Sequence, residues 1–138
     1  MIYSNINMSN KIDKILAEIS AGELFDKITI LEIKKAKISN KEKLNDIEKE
    51  LSSLNKTVKK YISNQNSISK YVNDLKIINL KLWDIEDGKR AAEKNKDFGE
   101  KFIELARNVY KFNDQRAKIK LAINTSLGSN IKEVKSYE

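Results

Sequence analysis

The segment from Gly22 to Ile38 constrains the fold of this chain more than any other part of the sequence. In a helix, at about 100° per residue, its apolar side chains point in nearly every direction around the axis. They are Leu24, Phe25, Ile28, Ile30, Leu31, Ile33, Ala36 and Ile38. A helix that is apolar on all sides is buried among other helices rather than lying on a surface. We therefore expect a helix over 22–38 at the centre of a helical bundle.

The composition favours long helices in the rest of the chain as well. The 138 residues include no proline and four glycines, and Lys, Glu, Leu and Ile are abundant. This composition excludes a turn-rich β protein, and the length suits one domain with a sizeable core. We predict a single helical domain over 20–138, preceded by a loose leader or a short helix over 1–19.

Capping signals predict where two of these helices begin or end. Ser20 is followed three residues later by Glu23, which is the capping-box pattern at a helix amino terminus. Gly128 follows a long helical pattern over 98–127 and is a natural carboxyl-terminal stop. The central helix should therefore start at Ser20 and the last helix should end at Leu127.

Two apolar seams predict a helical hairpin between these two helices. In each seam the apolar residues recur at alternating steps of three and four, and a polar segment, 63–67, separates the seams. The first seam consists of Leu44, Ile47, Leu51, Leu54, Val58 and Tyr61, and the second of Ile68, Tyr71, Leu75, Ile78, Leu82 and Ile85. Matched seams joined by a short loop indicate an antiparallel hairpin. The alternative is two separate helices that pair with other chains.

The fold prediction is therefore an all-α antiparallel bundle built on a long, coiled-coil-like helical hairpin over 41–95. Its arms are 41–62 and 67–95, and helices 22–38 and 98–127 pack against one end of it. The hairpin tip, near Asn64 to Asn66, should project beyond the shorter helices. A two-helix tip leaves apolar residues half covered, so a homodimer or a helical protein partner is expected to use it.

The residue types that are missing exclude several kinds of chemistry. The chain has no cysteine and no histidine, which excludes disulfides, thiol catalysis, imidazole acid–base chemistry and the usual zinc sites. A carboxylate metal site built on Glu32 and Glu86 would resemble di-iron bundles, but those use Glu-x-x-His pairs. Catalytic triads and glycine-rich phosphate loops are also missing from the sequence. We expect neither a metal nor a cofactor.

The net charge of +7 is spread thinly along the chain. There is no basic tail and no strip of alternating aromatic and basic residues, so we do not expect a nucleic-acid partner. No apolar run approaches the length of a membrane span, and the amino terminus has no signal-peptide core. We expect a cytoplasmic protein with no membrane partner.

Polar residues interrupt the apolar stripes at seven positions and predict a site. Glu32 falls in the widest apolar arc of helix 22–38, and the other six lie on the apolar stripes of the second hairpin arm and the last helix. If these helices pack together, their polar residues form one pocket. The candidate ligand-binding residues are Glu32, Asn79, Glu86, Arg90, Asn113, Arg116 and Lys120. Two arginines, one lysine and two amides suit a carboxylate or a phosphate.

Two functions are consistent with this cluster. The first is a small module that binds an anionic metabolite, and the residues do not decide whether such a module is also an enzyme. The second is a non-catalytic helical interaction module in which the cluster is structural, with Glu32 and Glu86 neutralised by Arg90 and Arg116. The two hypotheses differ most at Arg116, which would face a ligand in the first and a buried carboxylate in the second.

Several motifs resemble an uncharacterised family of small helical proteins from bacteria and viruses. They are GELFDKITILEIK at 22–34, LWDIED at 82–87 with Arg90, NDQR at 113–116, GS at 128–129 and EVKSY at 133–137. The resemblance extends over nearly the whole chain from about Ile19. This family has no assigned activity, so the resemblance implies the limits of the domain and no particular chemistry.

Overall fold

Helices form all the elements of the computed structural model, which describes residues 11–134 and has no strand in that range. The α-helices are α1 (Ala21–Lys37), α2 (Lys41–Tyr61), α3 (Ser69–Lys94) and α4 (Glu100–Leu127). A short 3-10 helix, Asn66–Ile68, leads directly into α3. The helices pack as a bundle, so the predicted all-α class is confirmed.

The central position predicted for α1 is confirmed, because α1 packs against each of the other three α-helices. Five of its large apolar residues are buried: Leu24, Phe25, Ile28, Leu31 and Ile33. The capping box also holds, since the Ser20 side chain accepts a hydrogen bond of 3.1 Å from the Glu23 amide. At the other end Ile38 has extended backbone angles and ends the helix.

The pairing of helices within the bundle differs from the predicted hairpin over 41–95. The antiparallel hairpin is formed by α3 and α4, where Gly88 lies against Leu105 and the Lys81 ammonium lies 5.2 Å from the centre of the Phe112 ring. α2 packs on α1 instead, and no Cα atom of α2 comes within 8 Å of one in α3. The two predicted arms therefore do not pack on each other.

The central helix explains this difference. A seam pattern identifies the apolar face of a helix but not the helix that will cover it. α1 is apolar on all sides and offers a surface to both seams. Val58 of the first seam and Leu75 of the second lie in one core cluster together with Phe25 of α1. The two seams thus meet through the core around α1 rather than along a hairpin, and α3 is also covered by α4.

The predicted projecting tip near Asn64 to Asn66 also differs from the structure. Ile68, directly after it, is 1 % exposed, and the 3-10 helix packs against both α3 and α4. Residues 63–67 are themselves exposed, but Ile68 holds the end of this connection against the core. At the opposite end of the α3–α4 hairpin, residues 93–101 are all exposed. The turn between α3 and α4 therefore contains no buried side chain.

Residues 11–19 contain no helix, so the short-helix alternative for this part of the predicted leader is not adopted. The remaining leader, 1–10, and the end of the last motif, 135–138, lie outside the described residues. Gly128 ends α4 with a left-handed φ of 63°, as the sequence predicts. None of the described helices combines the length and the apolarity needed to cross a membrane.

Gly22 is required where α1 approaches α4, and this predicts the effect of replacing it. A Cβ atom on Gly22 would lie 2.5 Å from the carbonyl oxygen of Lys120, which belongs to the backbone of α4 and cannot rotate away. Gly22→Ala should therefore lower the free energy of unfolding by about 1–3 kcal/mol, a typical cost of overpacking. Urea denaturation of both proteins measures the difference.

Gly88→Ala is the matched control, because its Cβ would meet only the flexible side chain of Leu105, at 3.1 Å. The gain in helix propensity from glycine to alanine, about 1 kcal/mol, offsets much of that contact. Equal effects of the two substitutions would show that α1 and α4 do not approach each other as closely as described.

Candidate functional site

A cleft of about 520 Å³ opens between α1, α3 and α4. Ten residues line it: Ile30, Ile33 and Lys34 of α1; Asn79, Leu82, Trp83, Glu86, Asp87 and Arg90 of α3; and Arg116 of α4. This volume lies within the range of small-molecule pockets, which are typically apolar with a few polar groups at defined places. The cleft is the best candidate for a site among the described residues.

The walls of the cleft are apolar. Ile30 and Ile33 face it from α1, and Leu82 and Trp83 face it from α3. Trp83 is half-buried and is the only tryptophan in the chain. Its fluorescence therefore reports on the contents of the cleft.

The polar floor of the cleft is a hydrogen-bonded cluster around Asn79, which is 5 % exposed. The Asn79 Nδ2 group donates to Asp26 Oδ1 at 2.9 Å and to Thr29 Oγ1 at 3.0 Å. Arg116 donates to Asn79 Oδ1 at 3.5 Å, and its Nε lies 3.9 Å from Asp26 Oδ1. These contacts satisfy a carboxylate that is itself 5 % exposed.

The same cluster continues away from the cleft through Lys120. Its ammonium lies 2.7 Å from Glu23, 4.0 Å from Asp26 and 3.8 Å from Glu133. The Lys120 side chain is only 14 % exposed, so these carboxylates compensate a largely buried charge. The polar groups on this side of α1 are thereby joined to the carboxyl end of α4.

Glu133 joins the segment after α4 to the amino end of α1. Its carboxylate accepts hydrogen bonds from the Ser20 hydroxyl and, at 3.1 Å, from Asn124 Nδ2. Partial burial acts to raise the pKa of Glu133. The Ser20 hydrogen bond, a backbone hydrogen bond, the Lys120 charge and the Asn124 hydrogen bond outweigh it, so the pKa lies below the ordinary 4.5.

Four of the seven candidate residues line the cleft together. They are Asn79, Glu86, Arg90 and Arg116. Glu86 is 3.2 Å from Lys89 rather than paired with Arg90, and Arg90 is exposed. Within residues 11–134 the Arg90 side chain makes no hydrogen bond or ion pair. The ligand-binding role of these residues stays a prediction.

The other three candidates lie elsewhere. The Glu32 side chain is 40 % exposed and pairs with Lys76 at 3.5 Å, in a second cleft beside the 3-10 helix. It is therefore not the buried carboxylate that its position suggested. Lys120 belongs to the cluster behind the floor. Asn113 is half-buried and does not line the cleft. The predicted neutralisation of Glu32 by Arg90 or Arg116 is therefore not observed.

Sequence reasoning missed Asp26, the carboxylate that α1 does bury. A signal was available: Gly22, Asp26 and Thr29 are separated by four and three residues, which places them on one face of a helix. All three are buried, and they form the polar side of α1. This spacing did not stand out because α1 is apolar nearly all round. A helical projection of α1 therefore does not show which of its faces is the most buried.

Metal binding finds no support in the part of the chain that the structure describes. Residues 11–134 contain no group of three or more carboxylates placed to hold a metal ion. The two glutamates considered from the sequence are separate, since Glu32 pairs with Lys76 and Glu86 with Lys89.

Comparison with known proteins identifies the family. A family model described as a family of unknown function, DUF6165, matches residues 15–138. The chain belongs to this family. Searches of the curated proteins and of the solved structures found no significant match. The resemblance to an uncharacterised family is thus supported, and DUF6165 membership adds no assigned activity to the geometry of the cleft.

The lowered pKa of Glu133 predicts a pH dependence of stability. A carboxyl group whose pKa is lower in the folded state stabilises the fold fully above its unfolded pKa, near 4.5. That contribution is lost as the pH falls through the folded-state value. Glu133→Gln should therefore destabilise the protein at neutral pH, and its difference from wild type should shrink below pH 4.5.

Chemical denaturation of wild type and Glu133→Gln, at neutral pH and below pH 4.5, measures the difference in the free energy of unfolding. Glu48→Gln is the control, because it removes a glutamate whose pair with Lys35 is exposed on both sides and contributes little to stability. A Glu133→Gln difference that is the same at both pH values would contradict the proposed contacts of this carboxylate.

Proposed function

We propose that this protein is a small helical module that binds an anionic molecule, bearing a phosphate or a carboxylate, in the cleft between α1, α3 and α4. Three cationic side chains surround this cleft: Lys34, Arg90 and Arg116. Guanidinium groups offer paired donors that match a carboxylate or a phosphate. The apolar walls supply a surface for the rest of such a ligand.

The observation that carries the proposal is that two of these cations have no ion-pair or hydrogen-bond partner among the described residues. Within residues 11–134 the side chains of Arg90 and Lys34 make no ion pair or hydrogen bond. Lys76, Lys89 and Lys120, in contrast, each lie within 4 Å of a carboxylate. Unpaired cations beside an apolar cleft are available to a ligand without breaking any contact in the fold.

Arg116 serves the fold more than the ligand. It contacts both Asn79 and Asp26, and its side chain is 31 % exposed. Arg116→Ala would remove a partner of the buried Asp26 as well as a cation of the cleft, so it would perturb stability and binding together. Arg90 separates the two effects better, because it is exposed and has no structural partner among the described residues.

An interaction module remains the second candidate function, with a second copy of this chain as the partner. Ile103, Tyr110 and Leu121 fall on one face of α4 and are 46 %, 59 % and 48 % exposed. Residues 84–111, which include most of this face, contain seven acidic and seven basic side chains. Two copies that meet there avoid the repulsion that the +7 charge of the rest of the chain would cause.

Replacement of Arg90 tests the proposed function. Wild type should melt at a higher temperature in the presence of at least one of four anions: phosphate, a dicarboxylate, a nucleotide or an aromatic monocarboxylate. The reason is that a ligand that binds only the folded state stabilises it. Arg90→Ala should reduce this shift, because binding about tenfold weaker stabilises the folded state less, and it should leave the melting temperature of the free protein unchanged. Thermal denaturation with each anion, compared with sodium chloride at equal ionic strength, makes the measurement.

Arg107→Ala is the matched control, since it removes the same charge from an exposed position of α4 outside the cleft. It should keep the anion-dependent shift. The absence of any shift in wild type would refute anion binding. If light scattering then showed a mass that rises with concentration, the interaction module would be the better function.

A further inference from the structure

The hydrogen bonds at the floor of the cleft limit how a ligand can enter it. Both hydrogens of the Asn79 amide are donated, to Asp26 and to Thr29, and its oxygen accepts from Arg116. An anionic ligand group at the floor would find no free donor on the Asn79 amide. It could use only the remaining N–H groups of Arg116, which is already held beside the Asp26 carboxylate. The floor therefore favours an apolar group rather than a charged one.

The rim of the cleft has the opposite character. Arg90 is exposed there, and Lys34 is half-buried on the neighbouring helix α1. Neither side chain is engaged within residues 11–134. A charge-assisted hydrogen bond to either cation can form without rearrangement of the fold. The anionic end of a ligand is therefore expected at the rim.

Two acidic residues on the same cleft limit the charge of the ligand. Glu86 is held by Lys89 at 3.2 Å, and Asp87 makes no side-chain hydrogen bond or ion pair among the described residues. Both lower the positive potential that Arg90 and Lys34 create. A polyphosphate would be repelled by these carboxylates, whereas a single negative charge can pair with the two cations.

We propose that the ligand is a singly charged amphipathic carboxylate. Its apolar body lies against Ile30, Leu82 and Trp83, and its carboxylate pairs with Arg90 and Lys34 at the rim. This inference rests on the proposed function, and it specifies the ligand class and the orientation of the ligand in the cleft. An aromatic ring suits the walls best, because Trp83 offers an aromatic surface beside two branched aliphatic side chains.

Fluorescence of Trp83 tests the ligand class with four probes. Hydrocinnamate carries both an aromatic body and a carboxylate, its primary amide lacks the charge, and acetate and inorganic phosphate lack the body. Hydrocinnamate should change the Trp83 emission in a saturable way. The amide, acetate and phosphate should each bind about tenfold more weakly or worse, because each loses one of the two contacts.

Variants at the rim test the orientation. Arg90→Gln and Lys34→Gln should each weaken hydrocinnamate binding by about tenfold, the effect of losing one charge-assisted contact. Arg107→Gln is the matched control and should bind like wild type. Because Arg90 has no partner in residues 11–134, Arg90→Gln should also melt at the wild-type temperature.

The possible failures are distinguishable. If acetate or phosphate binds as tightly as hydrocinnamate and needs Arg90, the anion-binding function stands and the amphipathic ligand class is wrong. If the amide binds as tightly as the acid, the cleft is merely apolar, and both proposals are wrong. If no anion binds in fluorescence or in thermal denaturation, the proposed function fails, and the inferred ligand class fails with it.

Discussion

The buried carboxylate of Asp26 is the feature on which the arrangement of the helices depends most. It lies on the central helix, and only 5 % of the residue is exposed, so it would be strongly destabilising without partners. Asn79 comes from α3, and Arg116 and Lys120 come from α4, to surround it. Apolar packing alone would allow α1 to rotate or slide between its neighbours. These directional contacts fix the rotation of α1 about its own axis and its position along its neighbours.

A second set of contacts fixes the amino end of α1 on the carboxyl end of α4. The Gly22 amide donates to Asn124 Oδ1 at 2.6 Å, and the Ala21 amide donates to Ser129 Oγ at 3.1 Å. Free amides of the first helical turn are thereby satisfied by residues about a hundred positions later in the chain. Asn124 is itself 1 % exposed, so water does not compete for these bonds. The absence of a Cβ atom at Gly22 makes the approach possible.

These structural contacts separate the polar residues around the cleft into two groups. Asn79 and Arg116 form the floor and are already engaged with Asp26. Arg90 and Lys34 line the same cleft without a partner in the described range. The two hypotheses drawn from the sequence, a structural network and an anion site, are therefore compatible with each other. Asn79 and Arg116 would serve the structural network, and Arg90 and Lys34 would bind the anion.

The parts of the fold that depend on local signals were predictable from the sequence. The all-round apolarity of α1, its Ser20 cap and the stop at Gly128 all have local causes, and the structure agrees with them. The choice of packing partners was not predictable, because the seams of α2 and α3 are both compatible with α1. The projection that singled out Glu32 compared apolar arcs on one isolated helix. It could not show that α3 and α4 would bring an amide and two cations to Asp26 instead.

A double-mutant cycle between Asp26 and Asn79 tests the central claim most directly. Asp26→Ala, Asn79→Ala and the double variant would be compared with wild type by urea denaturation. If the two side chains stabilise each other through the 2.9 Å hydrogen bond, the effects will not add, and the interaction energy should be about 1–3 kcal/mol. Effects that add to within about 0.5 kcal/mol would show that Asp26 does not depend on α3, and would contradict its role in positioning the central helix.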